Sequence, residues 1–299
     1  MDGLIPVAGR LIPAGAFAQY RPARPRWYAF KKKESPPMTT AATALKPSND
    51  ARPAGIDPAE WELRVQLAAA YRIFDHIGWI ELIFNHITMR VPGPETHILI
   101  NPYGLMYNEV TASNLVKIDL DGNIVGSSNF PINPAGYIIH SALHRAREDA
   151  HCIMHTHTTT GMAVACKAEG LTPTNFYSAI IGDGVAYHDF EGTTTNADEQ
   201  PRLVASIGDK NYVILRNHGL LTCGRTIPEA FTRLWTLQRA CDVQCAAEAI
   251  PGETIRYDEA VIEQSRRAME DYSESTTSGV DTFKAMQRII DAKDPSYRT

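Results

Sequence analysis

Long apolar runs are missing from this sequence, and none approaches the roughly 18 to 20 residues that a membrane-spanning helix requires. Cysteine is scarce and irregular: Cys152, Cys166, Cys223, Cys241 and Cys245 form no CxxC pair. A secreted disulfide framework has an even count at regular spacing, so this pattern points to a reducing, cytoplasmic compartment. Basic excess is absent too. The net charge is −5 and the pI near 6.1, whereas a dedicated nucleic-acid binder carries a basic domain or stripe. Neither a nucleic-acid nor a membrane partner is expected. There is no Walker A loop, no GxSxG elbow and no HExxH helix, and Gly182-Asp183-Gly184 lacks the third glycine of a dinucleotide fingerprint. What is present is an ordinary globular balance, 44% apolar and 21% charged over 299 residues, ample for a real core.

Composition changes near residue 56. Residues 1–56 are rich in Pro, Ala, Gly and Arg, contain the run Lys31-Lys32-Lys33, and hold few periodic apolar residues. Such a segment cannot bury enough surface to offset its ordering entropy. It is expected to be disordered, or an extension upstream of a true start at Met38. A transit peptide fits poorly, because neither an amphipathic helix nor serine enrichment is evident. The folded domain is placed at residues 57–250, with a helical tail at 251–299.

Asp57-Pro58-Ala59-Glu60 supplies an N-cap, a proline at the first helical position and an acid two residues on. Leu63, Leu67, Ala70, Phe74 and Ile77 then repeat at 4-3-4-3 spacing, an amphipathic helix closed by Gly78. Strands are predicted at 85–91, 97–101, 116–120, 152–157, 185–189, 212–216 and 220–223. Helices are predicted from Pro134 to Glu148, over 161–169, and from the capping box Thr226-Ile227-Pro228-Glu229 to Ile250. The elements alternate without a strict βαβ rhythm or an internal repeat, giving one α/β domain with a central mixed sheet covered by helices.

Ile153-Met154-His155-Thr156-His157 is the most informative stretch. On a strand, side chains at i and i+2 leave the same face, so His155 and His157 converge with Cα atoms roughly 6 to 7 Å apart. That is half of a metal site. A third imidazole, His218, follows the apolar strand 212–216 in the turn Asn217-His218-Gly219, where glycine permits close backbone approach. Three histidines with open positions form the catalytic rather than the structural pattern of metal ligation. The remaining histidines read as hydrogen-bonded or surface groups. Among them are His76, His86 and the pair His140 and His144, one turn apart on the helix from Pro134. Of these, His140 is singled out as a candidate acid/base. Cys241 and Cys245, four apart, read as buried small side chains.

Together His155-Thr156-His157, Gly161, Ala163-Val164, Val185-Ala186-Tyr187-His188-Asp189 and Ile214-Leu215-Arg216-Asn217-His218-Gly219-Leu220 resemble the class II aldolase and adducin head-domain family. The blocks 142–166 and 213–241 are closer to its adducin-like branch. The resemblance covers about residues 60–250. It implies a three-layer α/β/α domain with a largely antiparallel mixed sheet, assembled as a C4 homotetramer with active sites near subunit boundaries. It also implies a divalent metal on His155, His157 and His218, zinc first, with iron or manganese as alternatives. L-fuculose-phosphate aldolase has a glutamate acid/base where this chain has Gly136, and phosphate-binding serines where it has Pro134 and Ala135. Asn85 matches that enzyme's phosphate-loop asparagine, although Phe84 replaces the adjoining glycine. Tyr177, with one residue inserted, falls near the tyrosine that a neighbouring subunit contributes as proton donor.

These departures weigh against sugar-phosphate aldolase chemistry and leave the metal-centred site intact. Three readings follow. The first is a metal-dependent lyase cleaving a C–C bond of a small carbonyl or hydroxy-acid substrate, by retro-aldol reaction or decarboxylation. Decarboxylation suits Gly136, since no base must act before the bond breaks, and Tyr177 or His140 would handle the proton. The second is a non-heme iron oxygenase on the same ligands. The third is a non-catalytic, adducin-like binding module of cytoskeletal type. The convergent histidines favour the enzyme readings.

Overall fold

The computed structural model describes residues 52–193, 197–275 and 279–299, without the side chains of 270 and 273–275, and the backbone of residues 4–7 and 10–13. In the N-terminal unit, Met1–Ala44, strands β1 (Leu4–Val7) and β2 (Arg10–Pro13) pair antiparallel, with Ile5 opposite Ile12. The rest of residues 1–51, on which most of the expectation of disorder falls, lies outside the described residues.

The second unit, Leu45–Thr299, opens with α1 (Pro58–Ile77). The Asp57 carboxylate accepts from the backbone N–H groups of Ala59 and Glu60. At the other end Gly78 adopts a left-handed φ of 77° and turns its N–H back onto the last carbonyls. Then come β3 (His86–Val91), β4 (His97–Ile100), β5 (Val116–Asp119), α2 (Pro134–Ala146), β6 (Cys152–Thr156), α3 (Thr159–Ala165) and α4 (Phe176–Ile181). They are followed by β7 (Val185–His188), α5 (Gln200–Ile207), β8 (Tyr212–Leu215), β9 (Gly219–Gly224), α6 (Ile227–Glu248), α7 (Glu259–Ser275) and α8 (Val280–Lys293). Among the described residues no helix is long and apolar enough to cross a membrane.

Seven strands form one sheet in the order β5-β4-β3-β6-β9-β8-β7, antiparallel throughout except for the parallel pair β7 and β8. Alternation along each strand divides the core in two. Cys152 and Met154 of β6 face a core shared with α1, α6 and α8, while Ile153 faces Ile139 and Leu143 of α2 and Leu203 of α5. The result is the three-layer α/β/α sandwich with a mostly antiparallel sheet that the sequence leads one to expect.

Three differences from the sequence reading have local causes. Helix α3 stops at Ala165, short of residue 169, because Lys167 and Gly170 close successive turns, with Gly170 at a left-handed φ of 70°. Helices α4 and α5, of 6 and 8 residues, are too short to build a periodic signal. And the tail at 251–299 is no appendage. Phe283, Ile290 and Tyr297 are buried in the main core, and the backbone N–H of Ala112 donates to the Tyr297 carbonyl. Phe283 meets Phe231 edge-on at 5.9 Å between ring centroids. Phe283→Ala is expected to lower stability by about 3 kcal/mol, read as a lower urea midpoint; an unchanged midpoint would mean that α8 contributes no core.

Candidate metal centre

Because β6 alternates, His155 at its end and His157 just beyond leave on the α2 side, opposite to Met154. Antiparallel pairing sets Thr156 of β6 against Leu220 of β9, which brings the preceding turn back over both histidines. In that turn Asn217 takes a left-handed φ of 55°, and the His218 N–H donates to the Leu215 carbonyl. Gly219 has to be glycine. A Cβ there would sit 2.3 Å from the Thr156 carbonyl oxygen and within 3.1 and 3.2 Å of His157 and His155 ring carbons.

The three rings gather with centroids 4.6 to 4.8 Å apart, and one nitrogen from each lies within 4.8 Å of the others. The Leu220 carbonyl can only accept, so His155 donates to it from Nδ1, at 2.9 Å. That leaves a lone pair on His155 Nε2, which stands 2.7 Å from His157 Nε2. A ring N–H tied to a backbone carbonyl with the other nitrogen aimed at a partner imidazole is the arrangement of a metal-ligating histidine. Burial lowers the pKa of all three, His218 to about 4. They are neutral at pH 7, the form that ligates. His155 is buried, while His157 and His218 keep partial access to solvent.

A second group of imidazoles lies beside this cluster. His86 of β3 is directly opposite His155 of β6, and their ring centroids are 5.1 Å apart. His86 Nδ1 is 3.0 Å from His140 Nε2, and His140 Nδ1 is 2.7 Å from Thr88 Oγ1. Thr88 Oγ1 is in turn 2.7 Å from His144 Nε2, and His144 Nδ1 donates to the Ala150 carbonyl at 2.8 Å. Burial pushes His86 and His144 each down to about 3, with the Arg90 guanidinium adding to the effect on His144. An unfolded histidine protonates near 6.5, so below that pH the unfolded chain takes up protons that the fold excludes. Stability is therefore full above about pH 6.5 and falls toward pH 3, by up to about 1.4 kcal/mol per pH unit for each histidine. The urea midpoint in chelator should drop between pH 7 and pH 5; a flat profile would mean that these rings titrate freely within the fold.

The other residues singled out from sequence are placed as follows. His140 is buried with both ring nitrogens already in hydrogen bonds, so it is not the freely accessible acid/base that its sequence position suggests. Asn85 precedes His86, is only 1% exposed, and its amide nitrogen and oxygen both lack a hydrogen-bond partner among the described residues. A buried, unpaired amide is costly and is the kind of group kept for a ligand. Tyr177 sits on α4 with the Arg239 guanidinium 5.8 Å from its ring centroid. No hydrogen bond or ring contact among the described residues joins it to the histidines. A cleft of about 840 Å³ between Thr172, Asp183, Lys210 and Arg266 shares no lining residue with the histidine cluster. The contact of His86 and Thr88 with His140 and His144 was not legible in the sequence. Their period-two spacing on β3, matched to the i, i+4 pair on α2, was the available signal, but only the strand order sets the two pairs face to face.

Residues 65–245 match the family described as the Class II Aldolase and Adducin N-terminal domain. A Pseudomonas aeruginosa protein named for aldolase class 2 is 44% identical over 247 residues, spanning 82% of this chain and 95% of that protein. Mouse alpha-adducin is 45% identical over 214 residues, which are 70% of this chain but 29% of the adducin. Among solved structures, an aldolase II superfamily protein from Pseudomonas syringae superposes with a TM-score of 0.77 at 42% identity, covering 82% of this chain and 98% of the other. L-fuculose 1-phosphate aldolase from Glaciozyma antarctica superposes with a TM-score of 0.71 at 29% identity, covering 83% and 97%. With its sandwich, its histidine cluster and these relatives in agreement, the chain belongs to the class II aldolase and adducin N-terminal domain family.

Proposed function

We propose that this chain is a divalent-metal-dependent lyase that cleaves a C–C bond in a small carbonyl or hydroxy-acid substrate. The observation that carries this reading is the convergence of His155, His157 and His218, with His155 locked in one tautomer by the Leu220 carbonyl. Three neutral imidazoles with an open position suit zinc. When bound, the ion would polarise a substrate carbonyl as a Lewis acid. The chain's own residues supply the rest. Partial exposure of His157 and His218 supports substrate entry on that side, and the unpaired amide of Asn85, next in sequence to His86, would take a polar group of that substrate. Tyr177 serves as proton donor from a neighbouring copy in a C4 tetramer in the cytoplasm. Its neighbour Phe176, 66% exposed in the single chain, supports such a contact.

Elemental analysis of the purified protein beside His218→Ala tests the reading. About one zinc per chain in the wild type, lost in the variant, is expected, with turnover of small 2-oxo and hydroxy acids by the reconstituted protein. Iron together with oxygen consumption would replace the lyase with an oxygenase. A wild type that takes up no metal would leave an adducin-like binding module.

A further inference from the structure

The ring of His86 occupies the space that any side chain at position 136 would need: a Cβ there would lie 2.3 Å from His86 Cδ2 and 2.7 Å from its Nε2. The direction of every hydrogen bond behind that ring is fixed by its far end. The Ala150 carbonyl only accepts, so His144 carries its hydrogen on Nδ1 and offers a lone pair at Nε2. Thr88 then donates its single hydroxyl hydrogen to His144, and must accept from His140 Nδ1. His140, with its hydrogen spent there, accepts at Nε2 from His86 Nδ1. The hydrogen of His86 is thereby held on Nδ1, and no hydrogen bond among the described residues reaches its Nε2. A lone pair is left beside the metal cluster, on a ring 5.1 Å from that of His155. His86 is not one of the ligands, since among the described residues only His155, His157 and His218 bring nitrogens within 4.8 Å of one another.

We propose that Nε2 of His86 is the proton acceptor of this site, kept free by the relay through His140, Thr88 and His144, and that position 136 is glycine so that this ring can stand there. The inference rests on the lyase reading for its substrate, a β-hydroxy carbonyl compound. The substrate hydroxyl gives its proton to His86 Nε2, and the O–H electron pair becomes the second C–O bond of a released aldehyde. The bond between the α- and β-carbons breaks with its electron pair passing to the α-carbon as an enolate. Tyr177, the proton donor, protonates that carbon and recovers its proton from His86 Nε2, which completes the second product. His140, Thr88 and His144 are positioning residues. A proton acceptor therefore stands against Gly136, where the related aldolase carries its glutamate.

Nitrogen-15 NMR of the full chain, labelled at histidine and free of metal, reads the tautomers directly and requires no substrate. His86, His140 and His144 are expected to carry hydrogen on Nδ1. Thr88→Ser should keep that pattern. Thr88→Val removes the acceptor for His140 Nδ1, so the chain should reverse and place the His86 hydrogen on Nε2. A wild-type His86 already protonated on Nε2, or a tautomer unmoved by Thr88→Val, overturns the proposal whether or not the protein is a lyase. In a lyase, His86→Gln is expected to lower turnover at least about 100-fold with metal content unchanged. Full turnover in that variant would remove His86 from the mechanism and leave the lyase standing.

Discussion

Gly219→Ala is expected to cost about 1 to 3 kcal/mol of stability, the usual penalty for forcing an extra carbon into a filled space. The atom it strikes is the Thr156 carbonyl oxygen, 2.3 Å away, and not the end of a flexible side chain. Strands β6 and β9 would have to separate, carrying Leu220 away from His155 Nδ1 and loosening the contact that orients that ring. Disturbing such an outer hydrogen bond typically weakens metal affinity about 10- to 100-fold. Urea unfolding in chelator measures the first effect and a zinc competition titration the second. Unchanged values in both would show that the turn tolerates a side chain and that Gly219 has no part in forming the centre.

Gly136→Ala should change sign with its background. In the wild type the new Cβ meets the His86 ring, so stability is expected to fall by about 1 to 3 kcal/mol as His86 is displaced from His140. In a chain already carrying His86→Ala the space is empty. Alanine then only replaces glycine inside α2, which is favourable by roughly 0.5 to 1 kcal/mol. The coupling between the two sites, obtained from a double-mutant cycle of urea midpoints, should thus reach about 2 kcal/mol or more. Additive effects would separate Gly136 from His86 and remove the steric reason for the glycine.

The clearest parts of the sequence were those governed by near neighbours. Asp57-Pro58, the 4-3-4-3 repeat and Gly78 define α1 through contacts a few residues apart, and the structure has the helix at Pro58–Ile77. His155 and His157 share a face by strand geometry alone. What stayed hidden depends on pairing between distant segments. Nothing near His86 says that β3 lies beside β6 with His86 against His155, nor that α2 crosses that face. Read singly, His86 is a hydrogen-bonded or surface polar group, His140 a candidate acid/base on its own, and Gly136 a position that lacks the related aldolase's glutamate. Read in register, they are one arrangement in which the glycine makes room for the ring. The helical character of the C-terminal tail was expected, but its place in the core was hidden, because the burial of Phe283 and Tyr297 depends on α1 and α6 more than on any pattern in the tail.

Strand β6 lies between β3 and β9, near the middle of the sheet, and its side chains are buried on both faces. Its amide hydrogens therefore exchange with solvent only when the whole domain opens. An ion bound by the histidines at its end would bind the closed form alone, so opening would scale with the unoccupied fraction of the site. At a free metal concentration of 100 times the dissociation constant, exchange along β6 should slow by about 100-fold. Deuterium uptake in that one strand is thus a gauge of metal occupancy that works before any substrate is known.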